Sequence, residues 1–234
     1  MNRAINTGKT ILVLGSSSPR RSALLRQIGA HFEIVAADID ETMDDAAAPG
    51  DYVSALALKK ASAAAGLVRN NVFIKHNYYR AIVIGADTTV VAHNGEILGK
   101  PADGADAARM LGLLSGRWHE VYTGVALADV RFTCIHDRFD ALDGRLKCPP
   151  IEPISGYGRT SVKMCPLDGD TIKYYVGTGE AEGKAGAYAI QGAGSLFIER
   201  VEGCYYNVVG LPLHLLRAML GAYGYDLLKI NSQE

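Results

Sequence analysis

The sequence predicts an α/β fold on three observations. Short apolar runs of strand length, such as Ile11 to Leu14 and Ala81 to Ala86, alternate with segments of helical spacing such as Leu24, Leu25 and Ile28. Turn residues punctuate them, with 26 glycines in 234 residues. Hydrophobic residues make up 48% of the chain, enough to build one sizeable core at this length.

Taken in order, Ile11 to Leu14 reads as a buried strand that runs through Gly15 and Ser16-Ser17-Ser18 into a helix. Ser18 followed by Pro19 fits an N-cap with proline at the first helical position, and Gly29 fits the stop. His31 to Ala36 reads as a second strand, Asp51 to Ala65 as a helix ended by Gly66, and Ala81 to Ala86 as a strand leading to Asp87 and Thr88. Val90 to Leu98 has the form of a hairpin around Asn94-Gly95. Asp103 to Leu114 reads as a helix closed by Ser115-Gly116, and Glu120 to Ala128 as a strand. The stretch 131–158, with Pro149, Pro150 and Pro153 and no periodicity, reads as a loop insertion. Thr160 to Met164 resumes strand character, Asp170 to Val176 is a short helix, Tyr188 to Ile198 contains strand material, and Leu213 to Leu220 is a closing helix.

Composition excludes several classes. The 24 basic residues against 25 acidic ones give a net charge of −1, no footprint for duplex DNA or an anionic membrane, so any basic site must be local. The apolar runs fall far short of the ~20 residues of a spanning helix. The polar stretch Met1 to Thr10 lacks the apolar core of a secretory signal, which predicts a cytoplasmic protein. Cys134, Cys148, Cys165 and Cys204 form no Cys-x-x-Cys pair and read as free thiols.

Four constellations can carry chemistry. Arg20 and Arg21 fall in the first turn of a helix, where cations are disfavoured, so an anion should offset them. With the helix-start amides and Ser16 they form a candidate polyphosphate cradle, the alternative being a solvated basic turn or a Ser-Pro phosphorylation site. Asp87 interrupts an apolar stretch near strand ends, where ligands of open α/β sheets collect, and must be paired or metal-bound if buried. Glu41, in the acidic run Asp38 to Asp45, could join it, and two carboxylates facing a polyphosphate would bring Mg²⁺ or Mn²⁺. Lys59 reads as a solvated helix position, whereas Lys100 in Gly99-Lys100-Pro101 can be aimed by a rigid turn. Lys184 to Gly194 surrounds one cation and one amide, Gln191, with small residues. Gly8-Lys9-Thr10 is no phosphate loop, because its first glycine is replaced by Arg3 and its strand follows rather than precedes it.

Ser16-Ser17-Ser18-Pro19-Arg20-Arg21, Asp40-Glu41-Thr42, Lys60-Ala61, Gly85-Ala86-Asp87-Thr88, Gly99-Lys100-Pro101, Thr178-Gly179-Glu180, the Lys184 to Gly192 segment and Asn207 to Leu213 stand in the order seen in the Maf family of nucleoside triphosphate pyrophosphatases. The resemblance runs from Ile11 to about Leu220. It implies a single domain over 1–234, an elongated two-lobed mixed sheet flanked by helices, similar to the inosine triphosphate pyrophosphatase (Maf/Ham1-like) fold, with a cleft between lobes. It also implies hydrolysis of a nucleoside triphosphate to monophosphate and pyrophosphate with a divalent metal, Mg²⁺ or Mn²⁺. Mapped onto this chain, Asp87, Glu41 and Lys100 are the catalytic set, with Asp87 activating water and Glu41 and Asp87 holding metal. Ser16, Arg20, Arg21, Lys60, Thr88 and Gln191 are the substrate-binding set. The Lys184 to Gly192 segment resembles the branch acting on dTTP and UTP rather than 7-methyl-GTP. A homodimer is compatible with the resemblance. Gly183 departs from it, standing where many members carry Asp.

Two rival readings remain at the level of sequence. A non-catalytic nucleotide-binding regulator of cell division would need the cradle but not Asp87. A single-stranded nucleic-acid binder would use Arg20, Arg21 and the tyrosines, against which the net charge of −1 argues.

Overall fold

A computed structural model describes residues 10–40, 48–132 and 151–228. Its seven strands are β1 (Thr10–Leu14), β2 (Phe32–Ile34), β3 (Arg80–Val91), β4 (Ile97–Leu98), β5 (Trp118–Arg131), β6 (Ile154–Met164) and β7 (Ile198–Glu202). The helices are α1 (Pro19–Gln27), α2 (Pro49–Asn70), α3 (Val72–Asn77), α4 (Gly104–Leu114), α5 (Gly169–Gly177), α6 (Tyr205–Val209) and α7 (Leu213–Ala222). The strands form one mixed sheet in the order β2-β1-β3-β5-β6-β7, with β4 paired to β3. β1 runs parallel to β2 and β3, and the remaining pairs are antiparallel. The sequence expectation of a mixed α/β sheet flanked by helices therefore holds.

Alternation along the strands sorts the core into two layers. Ile11 and Val13 of β1 and Ala81 and Val83 of β3 point to the face that α2 covers with Ala57, Ala61, Ala64 and Val68. Leu12, Leu14, Ile82 and Ile84 point to the other face, against Leu24 and Leu25 of α1 and Leu216 and Leu220 of α7. The α2 layer is thin because its contact residues are alanines and the strands offer glycines beneath it. A Cβ at Gly85 would lie 2.1 Å from the Ala57 carbonyl, and one at Gly124 would lie 2.1 Å from the Val53 carbonyl. Backbone thus meets backbone, a contact no larger residue permits.

At the end of β3, Arg80 faces Arg131 of β5 in direct register, a like-charge pair that would be unfavourable alone. Asp129 resolves it by accepting from Arg80 Nε at 2.6 Å and Arg131 Nε at 2.7 Å. Its second oxygen also accepts from the Ile151 amide at 2.9 Å. Burial alone would push this carboxyl up, but the two guanidinium partners and the Ile151 amide hold it below the ordinary value.

Several elements differ from the sequence reading. α2 continues through Gly66 to Asn70 because Val68 still has a buried slot beneath it. β3 does not end at Ala86: it carries Asp87 and Thr88 onward to pair with β5 and, through Val90 and Val91, with β4. The expected hairpin at Asn94-Gly95 is present, with Gly95 at φ 86. β5 reaches Arg131 and β6 begins at Ile154, so both margins of the expected 131–158 loop are strand; residues 133–150 lie outside the described residues. Of Tyr188 to Ile198 only Ile198 is strand, the first residue of β7; the rest is irregular chain followed by a 3-10 turn at Ala193–Phe197, and another 3-10 turn, Ala185–Ala187, precedes it. Ser18 occupies the N-cap of α1 without a side-chain cap bond; its own amide donates to Ser16 Oγ at 3.3 Å. Helices α3 and α6 were not anticipated, although Asn71 caps α3 by accepting from the Ile74 amide.

The glycine contacts make a paired prediction. Gly85→Ala should lower stability by about 2 kcal/mol or more, because the methyl meets backbone that cannot rotate away. Gly66→Ala, in the same helix-sheet layer but with nothing within 4 Å, should raise it by roughly 0.5 to 1 kcal/mol. Equilibrium urea unfolding of both variants reads the opposite signs.

Candidate active site

The close seating of α2 determines where its one-sided lysine lands. Lys60 is one turn beyond Ala57, which touches the sheet at Gly85, and Asp87 is two residues beyond Gly85 on the same face of β3. Lys60 Nζ consequently donates to Asp87 Oδ1 at 2.6 Å, with side-chain exposures of only 12% and 13%. A nearly buried ion pair is weak as a source of stability, since desolvation offsets much of the attraction. Its value lies in fixing where the carboxylate points. Among the described residues, Asp87 Oδ2 makes no hydrogen bond.

The β1–α1 loop reaches the same place. Gly15 N donates to the Ile84 carbonyl at 2.8 Å, pinning the loop where β1 stops and β3 continues. Arg21 then binds the protein itself: Nε donates to the Gly210 carbonyl at 2.8 Å, and its two terminal nitrogens donate to Ser16 Oγ at 3.0 Å and Thr88 Oγ1 at 3.1 Å. Gly210 can offer that carbonyl because it takes φ 119 at the end of α6. Arg21 therefore acts first as a brace that aligns two hydroxyls. Behind Thr88 the network continues inward, Thr88 Oγ1 to Thr123 Oγ1 at 3.0 Å, Thr123 Oγ1 to the Asn207 carbonyl at 2.8 Å, and Asn207 Nδ2 to the Val121 carbonyl at 2.9 Å.

Arg20 has the opposite character. It makes no hydrogen bond or ion pair among the described residues, and burial pushes its guanidinium below the usual value. Lys184 is likewise lowered, by burial first and then by the positive charge of Arg20. The segment carrying Lys184 is tied to the Lys100 turn, since Gly186 N donates to the Gly99 carbonyl at 3.1 Å. Gly186 and Ala187 both take left-handed backbone, at φ 68 and φ 59, and a Cβ at Gly186 would press on Val90 of β3. Gly183 is also left-handed, at φ 65, with open space around it. Glycine takes that conformation without strain, and Asp, although it tolerates it better than most residues, would carry a backbone cost here.

These groups surround one open cavity of about 470 Å³. Ser16, Arg20, Arg21, Lys60, Asp87, Thr88, Lys100 and Gln191, all expected from sequence, line it together. Glu41 lies outside the described residues. Lys184 was noted in the sequence without a role and proves to be part of the wall, as does Tyr188. Glu180 and Tyr175 stand behind the wall, and the sequence signals them only through Thr178-Gly179-Glu180 and the glycines at 192 and 194.

A divalent metal can be tested against this donor set. The described residues contain no group of three or more His, Cys, Asp or Glu side chains that could hold an ion. Mg²⁺ is commonly bound by one or two carboxylates, with water and substrate phosphate completing its shell. Asp87, whose Oδ2 has no hydrogen bond among the described residues, stands at the wall of a cation-rich cavity and fits that mode.

With fold and site in view, the relatives can be stated. The Maf-like protein family model matches residues 11–223, and the chain belongs to the Maf family. It is 45% identical over 218 residues to the dTTP/UTP pyrophosphatase of Acetivibrio thermocellus, covering 93% of this chain and 98% of that one. It is 44% identical over 216 residues to the dTTP/UTP pyrophosphatase of Symbiobacterium thermophilum, covering 92% and 95%. The Ham1 protein of Staphylococcus aureus aligns structurally at a TM-score of 0.37 and 14% identity, over 67% of this chain and 72% of that one.

Beneath the cavity, His119 is 1% exposed and its Nε2 lies 2.8 Å from the hydroxyl of the wall residue Tyr188. Its Nδ1 has no hydrogen-bond partner among the described residues. Burial lowers its pKa to about 4 from 6.5, so it is neutral in the fold at pH 7. Between those values the unfolded chain binds a proton that the folded chain refuses, and stability falls as pH drops through that window. The loss attributable to this group is on the order of 3 kcal/mol. Unfolding free energy measured from pH 7 to pH 4 should fall more steeply for the wild type than for His119→Gln, and equal slopes would show that His119 is not the group.

Proposed function

We propose that this protein hydrolyses pyrimidine nucleoside triphosphates, dTTP and UTP foremost and modified pyrimidine triphosphates with them, to the monophosphate and pyrophosphate, using Mg²⁺ or Mn²⁺. The observation that carries this reading is the Lys60–Asp87 pair at the wall of a cavity that, among the described residues, is lined by five cationic side chains and two carboxylates. A cation excess suits a polyphosphate, and about 470 Å³ suits a ligand of nucleotide size. The relatives named dTTP/UTP pyrophosphatase support the substrate class.

In this reading Lys60 holds Asp87 through Oδ1, leaving Oδ2 to accept a proton from water. The water oxygen bonds to the α-phosphorus while the bond from that phosphorus to the bridging oxygen of the β-phosphate breaks, and pyrophosphate leaves. Arg20, Lys100 and Lys184 meet the charge that develops on the leaving phosphates. Ser16, aligned by Arg21, donates its hydroxyl to a phosphate oxygen; Thr88, whose hydroxyl accepts from Arg21 and gives its proton to Thr123, fixes that brace at the cavity wall; and Gln191 offers its amide to the substrate. Bound Mg²⁺ or Mn²⁺ would supply neutralisation of the phosphate oxygens, with Asp87 and Glu41 as its protein carboxylates. The enzyme is proposed to act as a cytoplasmic homodimer; its net charge of −1 gives no general attraction for nucleic acid.

The test is pyrophosphate release from dTTP, UTP, CTP and 7-methyl-GTP with either metal, wild type beside Asp87→Asn. dTTP and UTP should be turned over, and the variant should lose at least about 100-fold in kcat while nucleotide binding changes little. Full activity in the variant would displace Asp87 from its role. Binding without turnover of any triphosphate by the wild type would overturn the enzymatic reading.

A further inference from the structure

Gln191 lines the cavity from a segment that no strand ladder supports. Its backbone is held instead by two side chains that do not themselves line the cavity. Tyr175, 2% exposed, accepts from the Ala189 amide at 3.2 Å and donates its hydroxyl to Glu180 Oε1 at 3.0 Å. Glu180 accepts from the Gly194 amide through Oε1 at 2.9 Å and from the Ala193 amide through Oε2 at 3.0 Å. The two residues thus grip the chain on both sides of Gln191.

The glycines of the segment record the same contact. A Cβ at Gly192 would lie 2.7 Å from Glu180 Oε2, and one at Gly194 would lie 2.4 Å from the Ala189 carbonyl and 2.8 Å from Tyr175 Oη. Gly192 also sits at φ 82. Burial pushes the Glu180 carboxyl up, but the Gly194 and Ala193 amides and the Tyr175 hydroxyl bring it below its ordinary value, so the acceptor is ionised at neutral pH. Burial pushes the Tyr175 phenol up, which keeps its proton available as donor.

We propose that Glu180 and Tyr175 are positioning residues that pre-order the Ala189 to Gly194 wall and thereby set how tightly Gln191 engages a pyrimidine nucleoside triphosphate. The inference rests on the function proposed above. Asp87 and Lys60 belong to β3 and α2, which make no hydrogen bond to Glu180 or Tyr175 among the described residues. Loosening the wall should therefore act on binding, where the segment must be ordered anew, and spare the chemical step.

The experiment compares wild type, Glu180→Gln, Tyr175→Phe and the double variant by two readouts. In the first, KM for dTTP should rise about tenfold in Glu180→Gln, with kcat within about twofold, because the amide group can no longer accept from both backbone donors. Tyr175→Phe keeps the ring against Phe197, 5.0 Å between centroids, and should move KM in the same direction. The double variant should raise KM little beyond the larger single change, as expected of residues acting in one unit. In the second, amide hydrogen exchange at Ala193 and Gly194 should quicken by about tenfold or more in Glu180→Gln, at pH 7 and without nucleotide. Unchanged exchange there would overturn the clamp regardless of activity. A fall in kcat with KM unchanged, or a lowered melting temperature with both constants unchanged, would overturn the positioning role. If the wild type turned over no triphosphate, the proposed function would fail while the exchange readout still decided the clamp.

Discussion

Everything at the site depends on how closely one helix can approach one sheet. Where α2 crosses β3 and β5, no side chain stands between the backbones, because Gly85 and Gly124 supply none. Helix and sheet packed through larger residues would stand farther apart, and a lysine from the helix would then reach across solvent toward a carboxylate on the strand. Here Lys60 and Asp87 meet at 2.6 Å with most of their surface withdrawn from water. The pair is thus an outcome of two missing side chains as much as of two charged ones. Alanines at 57, 61 and 64 continue the same thin layer along the helix.

The cationic groups around the cavity divide by what already satisfies them. Arg21 is committed to protein oxygens on three separate parts of the chain and works as internal bracing. Lys60 is committed to Asp87. Arg20 and Lys184 sit close enough for Arg20 to lower the lysine's proton affinity, and burial disfavours the charge on each. Such an arrangement is unfavourable until an anion arrives, which is how a folded protein stores affinity for one.

The sequence made the alternation of strands and helices legible, because short apolar runs and glycine punctuation are local signals. It also assembled most of the residues that line the cavity. What it obscured is non-local. β3 reads as stopping at Ala86, since glycine and aspartate interrupt the apolar run, yet α2 needs the glycine for contact and Lys60 satisfies the aspartate. The bracing role of Arg21 is hidden because its partner Gly210 is 189 residues away. Tyr188 to Ile198 has strand composition, but the amides of Ala189, Ala193 and Gly194 are taken by Tyr175 and Glu180 rather than by a neighbouring strand. Glu41 lies outside the described residues.

The aspartate near the end of β5 has a consequence for how this chain can vary over generations. Asp129 binds Arg131 on one flank and the Ile151 amide on the other, so the two ends of the intervening chain are fixed beside each other by a group inside the sheet. The register of β5 with β6 is set by their own ladder from Trp118 opposite Lys163 to Leu127 opposite Ile154. Length can therefore be added or removed between those flanks at an entropic cost that grows only logarithmically. This junction is where the fold can accept new sequence without disturbing the face that holds Asp87.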